Sequence, residues 1–251
     1  MTLSRIVFHC TDHDQAAVHS KCKALHRMML QEFASGGEFA KVVERRKIRN
    51  VFVTHFEGEG RSGGRILHDY RNANGLAASL VGSIDEAATF VAEQRKRGRE
   101  FGIVFVDDFI GTGGSCVEGL SKFRKKLGKE QLADNKMVVG VAAIVGFKTG
   151  IETVRKNGVV DCHVITADEC GIEDRAFAPE AKVFDRDEDR LAAEALFKNI
   201  GQVLEPKQPS GFGDSQALVC FHYRCPNNTL PVFYKSGVVY QGREWIPLFP
   251  R

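Results

Sequence analysis

The sequence predicts an α/β fold, a parallel β-sheet flanked by helices, with an N-terminal helical segment before it and an aromatic-rich C-terminal extension after it. Three observations carry this expectation. Segments such as FGIVFV at 101–106 and MVVGVAAIV at 137–145 are apolar throughout, as strands covered on both faces are. They alternate with stretches whose apolar residues recur three and four positions apart, the spacing of one helical face. Glycine-rich turns join strand to helix at two places, 57–64 and 111–114. Strand and helix in alternation put the strands parallel and the helices on the faces.

The elements follow in order. Leu25, Met28, Met29 and Phe33 predict a helix over 14–34, ended by SGG at 35–37. The basic stretch ERRKIRN leads into a strand, NVFVTHF at 50–56, then the loop EGEGRSGG and a helix carrying Ile66, Leu67 and Tyr70 on one face. A short apolar run, LAASLVG, precedes Ser83 and Glu86, whose spacing is that of a capping box opening a helix to about residue 97. The strand at 102–107 is followed by a helix over 115–126, with Ser115 and Glu118 as a second capping box. The strand 137–145, a helix near 149–157 and the strand VVDCHVIT at 159–166 complete the sheet. A helix over 185–204 is expected to turn Leu191, Ala195, Leu196 and Ile200 inward, and EPKQPSGFGDS at 205–215 to form a loop or hinge. The expected division is an N-terminal helical segment, 1–47, an α/β domain, 48–204, and a C-terminal extension, 205–251.

Composition narrows the class. Of 251 residues 43% are hydrophobic and 27% charged, as in an ordinary globular chain. A net charge of +3 does not by itself argue for nucleic acid. The longest apolar run, at 137–147, is far short of the ~20 residues of a membrane helix. No secretory signal is visible at the N-terminus, and seven irregularly spaced cysteines without a CxxC suit a reducing compartment, so a cytoplasmic protein with no membrane partner is expected.

The stretch VFVDDFIGTGGS holds the chemistry. Asp107 and Asp108 fall near the carboxyl end of a strand, where ligands of open α/β sheets bind. Gly111, Thr112, Gly113, Gly114 and Ser115 then lead to a helix N-terminus, whose unpaired N–H groups favour a phosphate. Carboxylates repel phosphate, so they must serve another part of the ligand, either sugar hydroxyls or a Mg²⁺ ion. A sugar phosphate meets both demands. These residues resemble the signature of the type I phosphoribosyltransferases, which bind phosphoribosyl pyrophosphate (PRPP). The resemblance implies that Asp107 and Asp108 hold the ribose 2- and 3-hydroxyls and the metal, and that 111–115 binds the 5-phosphate. Gly111 stands where some members carry an acidic general base, so no base is implied. A Walker-B-like strand end would need a GxxxxGK[ST] partner, and the chain has none.

The first glycine loop fits the same family. Arg61, Ser62, Gly63, Gly64 and Arg65 resemble the loop that binds the leaving pyrophosphate, with Arg61 in a catalytic, charge-neutralising role. Gly58, Gly60 and Gly63 also make a formal GxGxxG, but the acids Asp85 and Glu86 come late for a dinucleotide's ribose; a plain tight turn is the third reading. In many family members a long mobile loop lies between the second strand and the signature strand, whereas this chain has an amphipathic helix at 84–97.

The remaining signals are weaker. His9, Cys10, His13, His19 and Cys22 match no usual zinc spacing. Basic runs at 45–49, 95–99 and 122–126 suit solvated faces, two of them near helix C-termini. The stretch PNNTLP at 226–231, taken with the signature, resembles the C-terminus of bacterial phosphoribosyltransferase-like proteins linked to conflict and antiphage systems, some acting with a retron. That resemblance implies PRPP, an acceptor (base, nucleotide or nucleic acid) and a protein or ribonucleoprotein partner. A nonenzymatic PRPP or nucleotide sensor is the competing expectation. TADECGIED at 166–174 supplies acceptor-side candidates.

Overall fold

The computed structural model describes residues 2–35, 50–56, 63–128 and 136–249. The chain divides into two compact units: His19–Glu169, and Met1–Val18 together with Cys170–Arg251.

The unit His19–Glu169 is built on four parallel strands, β2 (Val51–His55), β3 (Phe101–Ile110), β4 (Met137–Phe147) and β5 (His163–Cys170), paired side by side in that order. The register sets Val53 beside Val104 and Phe105 beside Val141. Between strands run α3 (Gly63–Asn74), α4 (Ile84–Lys96), α5 (Gly114–Leu127) and α6 (Lys148–Arg155). β3 and β4 are buried along almost their whole length, which is why both are apolar without alternation. One core joins Phe52, Phe90, Phe105, Phe123, Leu120 and Val141, with Phe105 stacked on Phe56 at 4.9 Å.

The helix α2 (Gln15–Ser35) buries Cys22, Leu25, Met29 and Phe33. Two glycines inside strands make room for it: a Cβ on Gly140 would lie 2.4 Å from the Met29 sulfur, and one on Gly102 2.8 Å from Phe33. Met28, expected on that face, is 40% exposed, because the stripe advances by three and then four residues from Cys22 and passes it by. The α4 capping box forms as expected: Ser83 Oγ accepts from Glu86 N at 3.2 Å and Glu86 accepts from Ser83 N at 2.7 Å. These bonds hold the Glu86 carboxyl below its ordinary value, the backbone bond first.

Two boundaries differ from expectation. The box at Ser115 and Glu118 does not form, since α5 starts at Gly114 on a left-handed Gly113 with no side-chain cap; Ser115 is already inside the first turn, beyond the capping position. β5 starts at His163 rather than 159, because Asn157 accepts hydrogen bonds from Val159 N and Val160 N at 2.6 and 3.0 Å and holds those residues in a turn.

The other unit contains α1 (Thr2–Phe8), β1 (Thr11–His13), α7 (Asp187–Leu204), β6 (Val219–Phe221) and a small antiparallel pair, β7 (Val239–Tyr240) with β8 (Arg243–Glu244). β1 and β6 pair in parallel although about two hundred residues separate them. Its core is formed by Ile6, Phe177, Phe197, Leu204, Leu230 and Phe233. On α7 the buried stripe is Ala193, Phe197, Gly201 and Leu204, so Leu191, Ala195 and Leu196 face solvent and Ile200 is half-buried. Gly201 fixes that rotation: a Cβ there would meet the Pro209 carbonyl at 2.0 Å. The PNNTLP stretch is internal scaffolding: Asn228 Nδ2 donates to Ser215 Oγ at 2.8 Å, and Thr229 Oγ1 donates to the Val219 carbonyl at 2.7 Å.

Candidate functional site

The path of the chain around β2 creates the site. After β2 and α3, Val81 makes a single parallel bridge to Val53, and Gly82 N donates to the Val53 carbonyl at 3.1 Å. The chain then forms α4 and enters β3 on the opposite side of β2. The spatial order is therefore Val81, β2, β3, β4, β5, with the reversal of direction between β2 and β3. Ligands of open α/β sheets bind outside the carboxyl ends of the strands at such a switch point.

A strand ends and a helix begins on each side of that crevice. At β2, His55 and Phe56 end the strand, and Gly63 opens α3 so close that a Cβ on it would lie 2.3 Å from His55 Nδ1. Arg61 and Ser62 lie outside the described residues. Gly64 has open space where a Cβ would be. The Arg65 guanidinium is about half exposed and pairs with Asp69 at 3.1 Å. Any anion drawing on Arg65 competes with that carboxylate.

At β3, the strand runs on to Ile110, so Asp107 and Asp108 lie within its last turn of pleat rather than at its tip. Asp107 is half-buried, and its Oδ1 accepts the Asp108 N–H at 2.9 Å. Asp108 is 1% exposed. Adjacent strand residues point to opposite faces, so the two acids do not stand as equivalents. Beyond them, Thr112, Gly114 and Ser115 are exposed and Gly111 and Gly113 buried. Gly113 has φ +81, and a Cβ there would lie 2.6 Å from the Gly150 carbonyl of α6. That glycine therefore presses the turn against α6, while Gly114 meets only Thr112 Oγ1, 3.7 Å from its Cβ position. The residue before α5, Gly113, has no side chain to cap its first-turn amides, and Gly114 N makes a long 3.5 Å bond to Thr112 Oγ1; such a helix start suits an anion.

The other candidates are dispersed. Thr166 is buried in β5, Asp168 pairs with Lys21, and Asp174 accepts from Gly171 N at 2.7 Å. His9 bonds the Arg5 carbonyl at 2.9 Å, and His13 stacks on Phe221 with centroids 5.1 Å apart. Among the described residues no group of three or more His, Cys, Asp or Glu is placed to hold a metal ion. No described helix is long and apolar enough to cross a membrane. Two features escaped the sequence reading: the switch point, marked only by one bridge at Val81, and a buried polar contact between α2 and α3. There His26 Nδ1 and Tyr70 Oη are 3.0 Å apart, and Asn74 Nδ2 donates to the Cys22 and Tyr70 carbonyls.

A parallel sheet with this switch point, two acids on the strand beside it and a glycine turn opening the next helix is consistent with a phosphoribosyltransferase-like protein. The PRTase-CE family model matches residues 12–251, and the chain belongs to that family. No curated protein matches the sequence.

Proposed function

We propose that the chain binds PRPP with Mg²⁺ between β2 and β3 and transfers phosphoribosyl to an acceptor, or cleaves PRPP. The single observation that carries this reading is the position of the Asp107–Ser115 turn at the switch point, with the glycine-started N-terminus of α5 at its end. The amides of 112–115 anchor the 5-phosphate, and Asp107, the acid with exposed surface, takes the ribose hydroxyls. The resemblance assigns Asp108 the neighbouring hydroxyl contact, but its burial on the other face of the strand fits a part in supporting that strand. Holding the sugar at two ends is the positioning part of catalysis. Arg61, Ser62, Gly63, Gly64 and Arg65 are assigned to the pyrophosphate, whose departure leaves an oxocarbenium-like sugar.

The donor set fits magnesium, which commonly takes one or two carboxylates and completes its shell with substrate phosphates. Asp107, the acid with exposed surface, would hold it, with Asp108, buried on the other face of the strand, in a supporting part; when bound it would neutralise charge developing on the pyrophosphate. The PNNTLP resemblance extends the reading to a cytoplasmic antiphage effector acting with a protein or retron ribonucleoprotein partner.

One observation favours a second reading, a PRPP or nucleotide sensor: α4 occupies the stretch where many relatives have a closing loop. Calorimetry with PRPP and Mg²⁺, run beside a pyrophosphate-release assay across acceptors, separates the two. Saturable binding that weakens at least ~10-fold in Asp107→Asn/Asp108→Asn, the loss of charge-assisted hydrogen bonds, supports the site. Equal affinity in a folded double variant overturns it. Release of pyrophosphate identifies the enzyme, and binding without release the sensor.

A further inference from the structure

We propose that Cys10, Cys220 and Cys225 form an oxidant-reactive thiol relay, a modification site for peroxides in the unit that holds both chain ends. Cys10 lies between α1 and β1, and the next residue, Thr11, donates its N–H to the Leu218 carbonyl at 2.9 Å. Pairing of β1 with β6 brings the Cys10 sulfur to 3.4 Å from that of Cys220. After β6, Phe221 and Arg224 exchange backbone hydrogen bonds of 2.8 and 3.0 Å, and this turn returns Cys225 to 3.4 Å from Cys220 on the other side. Three sulfurs therefore stand in a row, with Cys220 in the middle.

Their surroundings assign the roles. Cys10 is only partly buried, whereas Cys220 and Cys225 are completely buried. An oxidant reaches Cys10 first. The Cys220 thiol is pushed far above its ordinary range by its contacts with Cys10 and Cys225 and by burial, so it does not compete with Cys10 for the oxidant. Small buried thiols also serve simply as packing. That role requires no sulfur–sulfur contacts, and here there are two.

The chemistry balances with hydrogen peroxide as oxidant. The Cys10 sulfur attacks a peroxide oxygen, the O–O bond breaks, and the departing hydroxide leaves as water with the thiol proton. Cys220 then attacks the sulfenic sulfur, the S–O bond breaks, and a second water leaves with the Cys220 proton. Two thiols and one peroxide yield one disulfide and two waters. Closing from 3.4 Å to a bond of about 2.0 Å is within reach of side-chain rotation. Cys225 can next attack Cys220, move the bond inward and return Cys10 to its thiol form. The first bond fastens the chain between α1 and β1 to β6; the second leaves Cys10 free to react again.

The test is thiol counting with peptide mapping on the full chain. Fully reduced protein carries seven thiols. After exposure to excess hydrogen peroxide, quenching and alkylation in denaturant, we expect two fewer thiols and a linked peptide joining Cys10 to Cys220, or Cys220 to Cys225. In Cys225→Ser the Cys10–Cys220 link is expected to accumulate, since its inward transfer is blocked. Seven surviving thiols, overoxidised Cys10 without a link, or links to Cys22, Cys116, Cys162 or Cys170 or between molecules would each overturn the proposal. The wild-type result decides the matter even if the variant fails to fold, and it is independent of PRPP binding.

Discussion

His26 shows how much one buried side chain can impose. It is 6% exposed, bonded at Nδ1 to Tyr70, and its Nε2 has no hydrogen-bond partner among the described residues. Burial lowers its pKa to about 4 from an ordinary 6.5, and burial likewise raises the neighbouring Cys22 thiol to about 12, with Asp69 adding to the effect. The unfolded chain therefore binds a proton at His26 through a window in which the folded chain does not. Stability contributed by the neutral ring is complete above pH ~6.5 and is lost as pH falls toward 4. Denaturant titrations between pH 7 and 4 should show a decline of up to about 1.4 kcal/mol per pH unit from this group. His26→Gln should flatten that slope; an unchanged slope would place the pH dependence elsewhere. Nothing in the sequence marks His26, because a helical histidine acquires this property only from the helix it meets.

At the scale of elements, the turn between β3 and α5 distinguishes two adjacent glycines. Gly113 combines φ +81 with a backbone contact from Gly150, whereas Gly114 has space and a conformation open to any residue. Gly113→Ala should cost about 1–3 kcal/mol, for backbone strain and for the clash with α6. Gly114→Ala should be neutral or slightly stabilising, since alanine is the better helix former. Thermal melting of the pair checks this, and equal melting points would mean that α6 does not press on the turn. The glycine run was legible as a strand-to-helix turn, while the division of labour within it was not. The same holds for α7, whose periodicity announces a helix, but whose buried face depends on Gly201 approaching Pro209.

At the scale of the whole molecule, the first eighteen residues group with the last eighty or so rather than with the sheet they precede. Ile6 is completely buried in that unit's core, beside Leu204, Leu230 and Phe233. Ile6→Ala should therefore destabilise it by about 2–5 kcal/mol. Trp245, the only tryptophan in the chain, belongs to the same unit, so its fluorescence reports the unfolding of that unit. A transition that moves to lower denaturant in this variant is the expected result, and an unmoved one would detach α1 from the core. The three sulfurs of the thiol relay belong to the same unit, Cys220 within β6 and Cys10 and Cys225 just outside the β1–β6 pair.

The sequence by itself determined the α/β class, the four paired strands of the sheet and the α4 capping box, and it carries the resemblance of Asp107–Ser115 to a phosphoribosyltransferase signature, because each is written in local periodicity, local polarity or a fixed spacing. Only the tertiary structure decided that the chain reverses between β2 and β3, that Asp108 is buried where Asp107 is not, and that Cys10 touches Cys220. Those facts arise from pairings between segments far apart in the chain, where one bridge at Val81 or one parallel strand pair sets the geometry. Local propensity carries no record of them: the energy that selects such pairings comes from surfaces that meet only when the whole chain has folded.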